Sequence, residues 1–148
     1  MGEAESWDEL LETATTALDR LASGRSGEFW LRSGTWHARL RATRKTVNTH
    51  IQFGGAAPGI RLNDYQLVLL YGVNYTSSAG AYPSAFAKTL SLQDGYQWDE
   101  QTLREVVLEV LGLLRYALAV PADGLSTQDV SRDGPRGLAR ARLPKRRR

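Results

Sequence analysis

Two histidines, His37 and His50, lie in a stretch of alternating apolar and polar residues, and their side chains could support metal or acid–base chemistry. Alternation across residues 28–53 predicts strands, in which every second side chain points to the same face. We register Glu28–Arg32, Thr35–Thr43 and Thr46–Phe53 about two-residue turns at Ser33-Gly34 and Arg44-Lys45. Both imidazoles then fall on one polar face, with His50 opposite Arg39 and His37 diagonal to it, about 6 to 7 Å away. Imidazoles at that spacing have the reach to share a metal ion. However, Arg39 and Arg41 would repel a dication, Glu28 is the one acid on the face, and zinc takes three or four ligands. One imidazole has a suitable pKa for acid–base work, but no nucleophile or orienting carboxylate accompanies it. We expect no metal, no cofactor and no catalytic set.

The same face invites a binding reading. Trp30, Arg32, His37, Arg39, Arg41 and His50 form a candidate contact surface for a ligand or a nucleic acid, with Asn48 and Gln52 as hydrogen-bonding neighbours. Guanidinium forks grip phosphates and carboxylates, and an aromatic face can stack a base. The plainer alternative is a solvated sheet face on which Glu28 pairs with Arg39. Other motifs are weaker. The loop Gly54–Gly59 follows a strand but lacks the Lys-Ser/Thr pair of a phosphate-binding loop. Ser77, Ser78 and Ser84 lack the glycine context of a nucleophile elbow.

Charge divides the chain at Pro121. Up to that residue there are 11 Lys/Arg against 13 Asp/Glu, and from Ala122 onward 8 against 3. Residues 122–148 show no hydrophobic periodicity and read as a disordered basic tail. Arg140, Arg142, Lys145, Arg146, Arg147 and Arg148 are its candidates for an anionic partner, either nucleic acid or an acidic protein. Residues 1–121 read as a single domain, long enough to bury a core. The absence of cysteine excludes disulfides and thiolate chemistry. The acidic start carries no secretory signal, and no apolar run approaches the roughly 18 residues of a membrane span. The expected compartment is the cytoplasm, or a virion if the chain is phage-encoded. Sixteen Arg against three Lys fits a GC-rich bacterial or phage genome.

The elements that position these residues follow from pattern. Ser6 and Glu9 form a capping box, and Trp7, Leu10, Leu11, Ala14, Leu18 and Leu21 make one helical stripe that Gly24 can stop. The meander's inward face carries Phe29, Leu31, Trp36, Ala38, Leu40, Ala42, Val47, Thr49, Ile51 and Phe53, with Leu31 opposite Trp36, Phe29 opposite Ala38, Leu40 opposite Thr49 and Ala38 opposite Ile51. Tyr65–Val73 reads as a central strand on its unbroken hydrophobicity, although Asn63 and Gly72 are able to cap a short helix instead. Asn74–Ser84 reads as a surface loop whose Tyr75 and Tyr82 suit protein contact. A strand over Ala85–Leu92 precedes a long helix capped by Asp99 and ending before Pro121. Its apolar arc, from Leu103 to Leu118, is wide, and Leu108 and Tyr116 fall outside it as candidate protein contacts.

The expected fold is α+β: an antiparallel sheet of about five strands, one face packed by the N- and C-terminal helices, followed by the basic tail. The expected function is a non-enzymatic protein-interaction module. It would be a small adaptor or chaperone-like protein or a structural subunit of a larger assembly, binding a protein partner or itself. The alternative is a nucleic-acid-binding accessory protein that uses the tail and the Arg/Trp face.

Overall fold

The computed structural model describes residues 6–53, 62–78 and 84–131. Helix α1 (Trp7–Ala22) starts where the cap places it. The Ser6 hydroxyl accepts from the Glu9 amide at 3.1 Å, and the Glu9 carboxylate accepts from the Ser6 amide at 3.2 Å. Leu10, Ala14, Leu18 and Leu21 are buried along its stripe. Beyond Ser23 the chain turns through Gly24 at φ +108, where a Cβ would meet the Arg44 guanidinium at 3.0 Å. The backbone conformation therefore calls for glycine here, while the long Arg44 side chain can give way.

Strands β1 (Gly27–Arg32), β2 (Trp36–Ala42) and β3 (Thr46–Phe53) form the expected meander. The β2–β3 register is the expected one, with Leu40 opposite Thr49, Ala38 opposite Ile51 and Arg39 opposite His50. The β1–β2 register differs by two residues: Phe29 faces Leu40 and Leu31 faces Ala38. The turn apex is Gly34-Thr35 rather than Ser33-Gly34, because Ser33 serves as the flank. Its hydroxyl accepts from the amides of Thr35 and Trp36 at 3.1 and 2.8 Å and donates to the Trp36 carbonyl at 2.6 Å. Thr43 plays the same part before Arg44-Lys45, accepting from Lys45 and Thr46. Both reversals are thus a hydroxyl residue, a two-residue apex and a closing residue. An even shift moves no side chain between faces. Phe29, Leu31, Trp36, Ala38, Leu40, Val47, Thr49 and Ile51 are buried, while Ala42 and Phe53, at the ends of their strands, are partly buried against the same core.

Tyr65–Val73 is a helix, α2 (Asp64–Gly72), which corrects the strand expectation. Asn63 accepts from the Gln66 amide and Gln66 accepts from the Asn63 amide, both at 2.8 Å. This reciprocal cap decides a segment whose hydrophobicity has no period. After Asn74, at φ 71, come the two-residue β4 (Thr76–Ser77) and then β5 (Ala85–Ser91).

Helix α3 (Glu100–Gly112) is capped by Asp99, which accepts from the Thr102 amide at 2.7 Å. It continues as a π-turn over Leu113–Ala117, closed by Leu118 donating to the Leu113 carbonyl at 2.9 Å. A 3-10 turn (Ala122–Gly124) leads into β6 (Ser126–Ser131), which pairs antiparallel with β1 from Gly27–Ser131 to Arg32–Ser126. The sheet therefore has six strands in the order β4-β5-β3-β2-β1-β6, all antiparallel. Its last strand lies in the segment that composition assigned to the tail. The side chains of β6 gave no signal because Thr127, Gln128 and Asp129 are exposed on a sheet edge, so backbone pairing holds the strand. Buried Leu125 anchors its start.

One buried cluster joins α1, the inward strand residues, Leu70 of α2, α3 and the π-turn. Helix α1 packs against α3 and against β1 and β2. No described helix is long and apolar enough to cross a membrane.

Candidate functional site

Two surfaces gather the residues singled out above. The first lies between α1 and α3. These helices run antiparallel, with Trp7 beside Arg115 at one end and Glu12 ion-paired with Arg104 further along. Between them opens a hollow of about 190 Å³ lined by Trp7, Asp8, Leu11, Leu108, Leu111, Gly112, Arg115 and Tyr116. Leu108 is 49% exposed and Tyr116 65% exposed, whereas Leu111 beneath them is buried. The Arg115 guanidinium stands 5.6 Å from the Trp7 ring and 4.8 Å from the Tyr116 ring, and so bridges the hollow's aromatic walls. Gly112 lines the hollow, and a Cβ there would meet nothing within 4 Å. The π-turn begins at the next residue and rephases the helix, so that Leu113, Leu114 and Ala117 stay inward while Arg115 and Tyr116 project. The predicted contacts Leu108 and Tyr116 are thus brought together. Trp7, Leu11 and Arg115 were missed as site residues, since the first two read as core stripe and the third as solvated charge.

The second surface is the outward face of the sheet. A central row runs Ala87, His50, Arg39, Trp30, Gln128 across five strands, flanked by the row Ala85, Gln52, His37, Arg32, Ser126. All six predicted residues, Trp30, Arg32, His37, Arg39, Arg41 and His50, share this face. The Trp30 indole donates to Glu28 at 2.9 Å, and the Arg32 guanidinium covers its ring at 4.1 Å while donating from Nε to Gln128 at 2.8 Å. The Glu28 carboxylate lies 3.8 Å from Arg41. Trp30 and His37 meet edge to face at 6.5 Å. The Nδ1 atoms of both histidines are buried without a hydrogen-bond partner among the described residues. Burial, and secondarily Arg32, hold the His37 imidazole below its usual pKa; burial and then Arg39 do the same for His50. Among the described residues no group of three or more His, Cys, Asp or Glu could hold a metal ion.

The other predicted residues part company. Tyr75 is a correction: it is 2% exposed, its hydroxyl bonds Thr49 at 2.6 Å, and burial raises its pKa strongly. It is a core residue, because the chain turns inward after Asn74 and the Tyr75 amide donates to the Leu70 carbonyl. Beside it Lys88 pairs with Glu109 of α3 at 2.9 Å, a half-buried pair that no sequence motif marked. Tyr82, the loop Gly54–Gly59 and the tail residues Arg140, Arg142, Lys145, Arg146, Arg147 and Arg148 lie outside the described residues. Helix α2 adds an unforeseen apolar stripe of Tyr65, Val68 and Tyr71, all exposed. No protein-family model matches the chain, and no curated protein or solved structure matches it either.

Proposed function

We propose that this chain is a non-enzymatic protein-interaction module that receives apolar side chains of a partner's amphipathic helix in the groove between α1 and α3. The observation that supports it is the exposure of Leu108 and Tyr116 around a hollow floored by buried Leu111 and by Gly112. Two antiparallel helices present a groove that a third helix fills with its i, i+3 and i+4 residues. Trp, Tyr and Arg are the residue types that dominate binding hot spots, and Trp7, Tyr116 and Arg115 surround this hollow. Asp8 and Arg115 at the rim would orient a charged partner. Covering the exposed half of Leu108 contributes on the order of 1 kcal/mol, and Tyr116 adds at least as much. An adaptor, a chaperone-like protein and a subunit of an assembly all use such a surface.

The test places a photo-crosslinking residue at Leu108, with Thr13 on the exposed side of α1 as control. In extract from the source cells, adducts should form at position 108 and not at 13. Equal labelling at the two positions, or none at 108, removes the proposal. A discrete adduct with a second copy would assign the groove to self-assembly.

A further inference from the structure

We infer that the outward face of the sheet, separately from the groove, binds the phosphate backbone of a single-stranded nucleic acid. Its charge is one-sided: Arg32, Arg39 and Arg41 stand there with Glu28 as the acid. That carboxylate already accepts from Trp30 and neighbours Arg41. The histidines add no fixed charge near neutral pH, since both are held below their usual range. Charge complementarity therefore points to a polyanion.

The side chains are set for phosphate more than for stacking. Arg32 lies over Trp30 at 4.1 Å, so the indole supports the guanidinium rather than offering that face to a base. Gln128 accepts from Nε of Arg32, so the donors this bond does not use are those of the two terminal nitrogens. A guanidinium held in this way loses little conformational freedom on gripping an oxyanion. Arg39 and Arg41 stand two residues apart on β2, about 6.7 Å along the strand. Beside Arg41 opens a hollow of about 420 Å³ also lined by Asn48, Thr89, Thr46 and Ser26, whose amide and hydroxyl groups suit sugar and phosphate oxygens.

The shape selects a single strand. Five strands across span roughly 20 Å, wider than the roughly 12 Å major groove that admits one helix or a two-stranded ribbon. An unstacked strand can instead track across the rows, with Gln52, Gln128 and Asn48 near its bases.

The experiment uses the full chain, so that the basic terminus is the same in every arm. Binding of a fluorescent oligothymidylate is followed by anisotropy across about 50 to 200 mM salt. For Arg32→Gln/Arg41→Gln the log–log salt slope should become shallower by about 1.4, two phosphate contacts at roughly 0.7 each. Arg41→Gln alone, at an exposed position, should change it by about 0.7 and serves if the double variant does not fold. Unlabelled oligothymidylate should displace the probe, while polyglutamate of equal charge should not. An unchanged slope in the folded variants, or no binding by the parent chain at low salt, overturns the inference. Equal displacement by polyglutamate overturns it in favour of an acidic protein, and tighter binding of a duplex overturns the single-strand assignment.

Discussion

The α1/α3 groove and the outward sheet face differ in how their groups are satisfied. On the sheet face the polar groups largely serve one another: Trp30 with Glu28, Arg32 with Trp30 and Gln128, Asn48 with Thr89. Water completes the exposed remainder, whereas the buried Nδ1 atoms of His37 and His50 have no partner among the described residues. In the groove, beside the charged rim residues Asp8 and Arg115, the apolar side chains of Leu108 and Tyr116 are exposed, and water does not satisfy these. Exposed apolar area around a shaped hollow gains from a partner, whereas a self-bonded polar face can stand alone. The groove therefore carries the functional proposal and the face the secondary inference.

The contrast can be sharpened by substitution, and the largest effect belongs to the frame both surfaces share. Leu40→Ala, on the inward side of β2, should cost about 2 to 5 kcal/mol in urea unfolding. Arg41→Ala, next to it and outward, should stay within about 0.5 kcal/mol. Equal costs would mean that the sheet does not sort its faces as described.

Gly24→Ala comes next. Forcing a Cβ at φ +108 and against Arg44 should lower stability by about 1 to 2 kcal/mol. Thermal melts of the variant would check this, and an unchanged midpoint would deny the positive-φ turn after α1.

Mild acid, above the range where carboxylates titrate, should act through the sheet face. His37 and His50 titrate lower in the folded chain than in the unfolded one, so the unfolded chain binds more protons in between. Their contribution to stability is complete above about pH 6.5 and is lost as pH falls from there toward the folded values. Unfolding curves at stepped pH should show this decline, and His37→Gln/His50→Gln should flatten it. A decline that persists in the double variant places the titration elsewhere.

Smallest is Gly112→Ala, which meets open space and replaces a poor helix former. It should stabilise the fold by about 0.5 to 1 kcal/mol, read as a raised unfolding midpoint.

Much of the frame was legible because its signals are local and periodic. Ser6 with Glu9 and Asp99 with its following helix are caps that chemistry dictates. Alternation from Phe29 to Ile51 set the faces even though the first turn's apex moved by one residue, since the register then shifts by two and an even shift conserves them. The first turn differs because the Ser33 hydroxyl, in the same role as that of Thr43, makes Ser33 the flank, so that Gly34 is the first apex residue rather than the second. Tyr65–Val73 has no periodicity, so only the weaker cap signals at Asn63 and Gly72 spoke for a helix, and the answering Gln66 of the capping box went unread. Strand β6 was invisible because an edge strand needs a backbone partner and no apolar pattern. On the site, residues that share a strand face could be grouped from sequence. The groove could not, since Trp7 and Tyr116 meet only through the packing of α1 on α3.

The most direct test fills the hollow. Gly112→Phe projects a ring from a Cβ position with no neighbour within 4 Å, and a thermal melt confirms that the variant is folded. With the crosslinker at position 108, partner adducts should then disappear. Adducts retained at full yield in a folded Gly112→Phe chain would contradict the groove as the partner's seat.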